Sequence, residues 1–190
     1  MKNKDIRNKL IVIAIKELIA NRWNNLDMKK LSKLSKFPLE EILLVCNSKH
    51  NLLDFWSDNL NSEMVKSLSI KELKQVSKKE RILELMLCRF DVIKPKKKEL
   101  NALIKLSKSS LIESSNSFNR SMKSMKLILD YSDISSKGAI GLIKIKALTI
   151  IWLLTLREWI KGEFLDEEAL MAAIDKRLIF AEKLNKIILE

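Results

Sequence analysis

Glycine and proline are scarce in this chain, 3 and 2 in 190 residues, and aromatic residues make up only 6% of it. Sheet-rich folds need many turns built from those residues, so their scarcity argues against a sandwich, a barrel or a doubly wound sheet and leaves helices. Cysteine is nearly absent as well. Cys46 and Cys88 lie far apart with no CxxC spacing, which indicates neither a disulfide framework nor a thiolate zinc site. The lone histidine, His50, has no second ligand or nucleophile beside it and reads as a surface residue near a helix N-terminus. The phosphate-binding patterns GxxxxGK[ST] and GxGxxG and the nucleophile pattern GxSxG are missing. The expectation is therefore a protein that is not an enzyme, with no catalytic residue, metal or cofactor.

Long apolar runs are missing too: the best candidate, 147–156, is about half the roughly 20 residues a spanning helix needs, and Lys144, Lys146 and Arg157 flank it. No transmembrane segment is expected. The first residues are polar, with no apolar signal region, and this predicts a cytoplasmic protein.

What is present is a globular balance of 47% hydrophobic and 32% charged residues with a formal net charge of +12. Such an excess favours an anionic partner, nucleic acid or a lipid surface, although it is spread along the chain with one local cluster at Lys94, Lys96, Lys97 and Lys98 around Pro95. That cluster reads as a solvated loop.

Apolar spacing of three and four residues predicts a first helix over 5–20 and a short one after an Asp27 cap. Pro38 then opens a third over 39–45, and Asn47 or Ser48 caps a fourth carrying Leu52, Leu53, Trp56 and Leu60. Four helices within sixty residues, the middle pair joined by a tight turn, form a helix-turn-helix pattern. Further helices are predicted over 78–93, 98–108, 110–130, 139–161 and, after a cap at Asp166, to about 188. The chain divides on this reading into a helix-turn-helix domain, 1–60, and a helical ligand-binding and dimerisation domain, 61–190.

The segment Ser48-Lys49-His50-Asn51-Leu52-Leu53, with Leu31 and Phe37 around the turn, resembles the TetR (tetracycline repressor) family of transcriptional regulators, whose DNA-binding domain carries an SK-x-x-LL element after its recognition helix. The resemblance implies an all-α fold, a homodimer, and a Lys49 that touches a DNA phosphate from a helix N-terminus. Lys29, Lys30, Lys33, Lys36 and Ser48 complete the expected DNA-binding set. Lys36 stands where the family has its turn glycine, and Leu43-Leu44-Val45-Cys46 replaces its aromatic signature. Glu40 and Glu41 make the recognition helix acidic, so any affinity is expected to be mostly electrostatic and to fall steeply with salt.

The remaining chain, through segments such as 79–91, 121–125 and 151–160, is similar to alphaproteobacterial TetR-like proteins and to the ubiquinone-biosynthesis accessory family, which binds lipid on a TetR fold without using DNA. Two functions follow. One is a transcriptional regulator responding to a hydrophobic small molecule; the other is a lipid- or quinone-intermediate-binding accessory protein. An apolar slot is expected from Phe90, Leu103, Phe118, Met122, Met125, Leu129, Leu148 and Trp152, whose methionines and phenylalanines suit an adaptable cavity or simply a filled core. A dimer interface is expected from Trp152, Trp159, Ile174 and Leu178 on the last two helices.

Overall fold

The computed structural model describes the backbone of residues 2–189 and the side chains of residues 3–183. Every regular element among the described residues is helical. In chain order they are α1 (Lys2–Ile19), α2 (Met28–Ser35), α3 (Leu39–Leu43), α4 (Lys49–Lys66), α5 (Ile70–Leu73), α6 (Lys78–Ile93), α7 (Lys97–Ser107), α8 (Leu111–Tyr131), α9 (Gly138–Lys161) and α10 (Glu167–Leu189). Single 3-10 turns occupy Trp23–Asn25 and Lys94–Lys96.

Local chemistry sets several of these boundaries. Asp27 accepts a bond from Lys30 N at 2.6 Å and starts α2, and Asp166 accepts from Ala169 N at 2.8 Å ahead of α10. Ser77 and Glu80 form a reciprocal capping box at the head of α6. Pro38 serves as the N-cap of α3, one position earlier than its spacing suggested. Pro95 does not open a loop: it sits in the 3-10 turn between α6 and α7, and neighbouring Lys94 pairs with Glu167 at 2.6 Å. Gly141 is fixed by close approach, since a Cβ there would lie 2.2 Å from the Ser136 carbonyl carbon.

The chain forms two units. Unit 1 is Met1–Leu60 with Lys96–Asn116, and unit 2 is Asn61–Pro95 with Ser117–Glu190. This division differs from the expected 1–60 and 61–190, because α7 packs on α1 and buries Leu100, Ala102 and Leu106 there. The core of unit 1 is built on Leu10, Ala14, Leu26, Leu31, Ile42, Leu52 and Leu53. In unit 2 the core residues include Leu85, Met86, Met125, Ile128 and Ile174, and α10 packs against both α6 and α9.

The apolar run expected over 147–156 is part of a longer apolar helix, α9. Over 24 residues it is long and apolar enough, by length and composition, to cross a bilayer, because Lys144 and Lys146 interrupt the apolar run without ending the helix. Ile145, Leu148, Trp152 and Leu156 are buried within unit 2, as in a core helix of a bundle, and buried Thr149 and Thr155 donate their hydroxyls to the Ile145 and Ile151 carbonyls.

Candidate nucleic-acid interface and ligand core

In unit 1, α2 and α3 are joined by a turn of three residues, 36–38, and this pair carries the helix-turn-helix geometry. Lys36 closes α2 in the left-handed region, φ 63°, with its N–H bonded to the Ser32 carbonyl. The turn holds it there through serines. Ser32 Oγ donates to the Phe37 carbonyl at 2.6 Å, and Ser35 Oγ accepts from Phe37 N at 3.3 Å. Lys29, Lys33 and Lys36 are exposed and available to an anionic partner.

The other expected contacts are engaged inside the unit. Lys30 lies 3.0 Å from Glu17, which Arg22 also grips with both ends of its fork, Nη2 at 2.6 Å and Nε at 3.1 Å. Those two cations, Arg22 first, hold the Glu17 carboxyl at about 2, well below its ordinary range. Ser48 is half-buried and donates through N and Oγ to Asn51 Oδ1, both at 3.2 Å, as part of the start of α4. Lys49 turns inward: its Nζ donates to the Trp23 carbonyl at 2.7 Å and lies 5.2 Å from the Trp23 ring, and burial lowers its pKa. A phosphate contact by Lys49 would require that bond to open.

His50 lies at the start of α4 as expected, half-buried rather than fully at the surface. Its Nδ1 faces Glu113 Oε1 at 3.6 Å, and its ring meets Trp23 edge-on. Glu113, buried, accepts from Trp23 Nε1 at 3.3 Å across 90 residues of sequence, a pairing that no local pattern signals. α3 itself is short and offers no cation. Glu40 is exposed, and Leu44 just beyond the helix is 80% exposed.

Unit 2 gathers most of the expected apolar slot. Phe90, Met125, Leu129, Leu148 and Trp152 are buried, and the Phe90 ring packs on Trp152 at 4.7 Å and on Trp159 at 5.4 Å. Phe118 and Met122 are half-buried in the same unit, whereas Leu103 belongs to α7 in unit 1 and does not join them. Leu129 and Leu148 also line an open groove of about 650 Å³ with Ile82, Ile151 and Leu178. Sequence reasoning missed the buried charges of this unit, Arg89 and Arg120. Arg89 is 5% exposed; its Nη1 donates to Asn61 Oδ1 and its guanidinium lies 5.3 Å from the Trp152 ring. Burial alone pushes its pKa down to about 10.

The expected interface residues sit differently from their prediction. Trp152 is 3% exposed, Ile174 and Leu178 are buried and Trp159 is half-buried, so these positions face the interior of unit 2. The solvent side of the same helices carries Ile140, Ile143, Ile150 and Leu154 on α9 and Met171 and Phe180 on α10. A second groove of about 650 Å³ is lined by Ala147, Ile150 and Leu154 of α9 and Ala173 and Phe180 of α10 among others, and Met171 lies outside it. Arg177 ties the helices together by donating to Glu158 Oε1 and Thr155 Oγ1, each at 2.7 Å.

No protein-family model and no curated protein sequence matches this chain. Solved structures do. A TetR transcriptional regulator from Nitrosomonas europaea superposes with a TM-score of 0.63 at 18% identity, over 93% of this chain and 97% of that one. A TetR-family transcriptional regulator from Syntrophomonas wolfei superposes with a TM-score of 0.62 at 17% identity, over 96% of this chain and 95% of that one. The chain thus has the all-helical fold of TetR-family transcriptional regulators.

Proposed function

We propose that this protein is a TetR-like, DNA-binding transcriptional regulator that acts as a cytoplasmic homodimer, responds to a hydrophobic small molecule and has no enzymatic activity. The observation that carries the reading is the α2–turn–α3 pair, presented on this fold with Lys29, Lys33 and Lys36 exposed along it. Three lysines per protomer place about six near phosphates in a dimer. Counterion release then predicts that the logarithm of affinity falls with the logarithm of salt with a slope near −5. The test is binding to the DNA upstream of the protein's own gene, across a salt series, against a scrambled duplex. A regulator should prefer the upstream DNA by roughly 10³ or more, and Lys29→Ala with Lys33→Ala should shallow the slope to about −2.

A second reading is favoured by one specific observation. The five-residue α3 with exposed Glu40 and Leu44, next to a Lys49 turned toward Trp23, is a poor reader of base edges. A protein that kept the fold and abandoned DNA, binding a lipid or quinone intermediate as an accessory factor, would look like this. Equal and weak binding to both duplexes at low salt would carry that reading instead.

A further inference from the structure

Arg89 is a buried cation without a counter-charge among the described residues. It lies toward the end of α6, with its guanidinium beside Trp152 and with buried Met86 and Phe90 on the same helix, where an aliphatic side chain would pack without desolvating a charge. Its hydrogen-bond partner is the neutral Asn61, held on Nη1. Nε is buried and has no partner, and Nη2 makes no hydrogen bond among the described residues. These two nitrogens form one edge of the guanidinium, a fork whose spacing matches the two oxygens of a carboxylate.

Apolar space lies along the same helices. The groove of about 650 Å³ is lined on its apolar side by Ile82, Leu148 and Ile151 and on its polar side by Lys78, Lys79 and Lys144. Ile82 precedes Arg89 by seven residues, roughly 10 Å of helix, and Leu148 precedes Trp152 by four, roughly 6 Å. Burial lowers the Arg89 pKa, and Lys78, Lys79 and Lys144 stand at the groove itself, apart from Arg89, which does not line it.

We propose that Arg89 binds the head group of an apolar monocarboxylic acid through its Nε–Nη2 edge, with the hydrocarbon part against the apolar face shared by α6 and α9. The site names the chemical class of the small molecule in the function proposed above, and its biological role rests on that reading. The guanidinium supplies a charge-assisted pair at a buried position, and Met86, one turn before it on α6, can repack around chains of different length.

The test uses the full chain and two probes of equal length, decanoate and decan-1-ol, titrated calorimetrically below the concentration at which decanoate aggregates. Wild type should bind decanoate at least tenfold more tightly than the alcohol. Arg89→Met should bring decanoate down to the alcohol's affinity, while Lys123→Gln, which removes an exposed charge on α8, should leave the preference intact. Asn61→Asp provides an arm that does not depend on the fate of Arg89→Met. It offers a carboxylate from within the chain to the same guanidinium, so it should raise the melting temperature and abolish the preference for decanoate. The proposal is overturned if wild type binds the two probes equally or binds no decanoate, or if the preference survives in Arg89→Met or Asn61→Asp. DNA binding measured on the same samples separates the two claims. Loss of the decanoate preference with upstream DNA still bound overturns the carboxylate site alone, and a preference without DNA binding overturns the regulator alone.

Discussion

At the scale of single residues, Lys36 shows how a strained backbone position can persist. Among the described residues, three other than glycine have positive φ: Asn21, Asp133 and Lys36. Asparagine and aspartate tolerate the left-handed region; lysine does so at a cost of about 1–2 kcal/mol. Lys36→Gly relieves that strain and adds unfolded-state freedom worth about 0.5–1 kcal/mol, so the expected net gain is about 0.5–1 kcal/mol, read as a higher urea midpoint. The same change removes a phosphate contact from the proposed DNA face, so tighter folding and weaker DNA binding should appear together. Glu17 makes an acid-side prediction. Its carboxyl titrates at about 2 in the folded state against an ordinary 4.5, so the stability it supplies through Arg22 and Lys30 is complete above the unfolded value and is lost as pH falls from 4.5 toward 2. Urea midpoints of wild type and Glu17→Gln should therefore differ at neutral pH and converge across that window. A gap that stayed constant down to pH 2 would show that the carboxylate's charge contributes nothing.

At the scale of elements, what could be read in the sequence depended on how local the cause was. The Asp27 and Asp166 caps and the course of α6 to α10 follow from signals within one or two turns, and the chain alone predicts them closely. The capping box of Ser77 and Glu80 was equally local and lay in plain sight as S-x-x-E. Placement of the faces was not local. α9 is apolar on both sides, so periodicity identified a helix but could not say that Trp152 turns inward while Ile150 and Leu154 turn outward. Leu103 was grouped with the wrong residues for a related reason, since nothing in the composition of α7 reveals that α1 is its packing partner. The candidate DNA face was legible as a pattern, but Lys30, Ser48 and Lys49 are held by Glu17, Asn51 and the Trp23 carbonyl, which depends on side-chain directions that spacing does not encode. Arg89 was hidden in the same way: an arginine inside an amphipathic helix reads as surface until its burial is seen.

At the scale of the whole molecule, the outward faces of α9 and α10 raise the question of assembly. Ile150, Leu154 and Phe180 are exposed along one groove, Phe180 to 64%, and Ile140 and Ile143 are exposed earlier on α9, in a chain whose net charge is +12. A contiguous apolar patch of this kind on a highly charged protein marks an interaction surface, and a second copy supplies an equally apolar face by symmetry. In the homodimer proposed above, two helices from each protomer would pack as four, each copy covering the other's groove, and a stable pair needs roughly 1,200–2,000 Å² of total buried surface. Light scattering of the wild type at micromolar concentration should accordingly return twice the 22.0 kDa chain mass. Leu154→Glu introduces one carboxylate per protomer, so a symmetric pair must bury both, and it should yield a monomer with little change in the fold because Leu154 is solvent-facing within the protomer. Leu165→Glu, at a fully exposed position between α9 and α10, should leave the mass unchanged. Wild type at 22.0 kDa would refute the dimer, and a dimer that tolerates Leu154→Glu would move the interface away from these two helices.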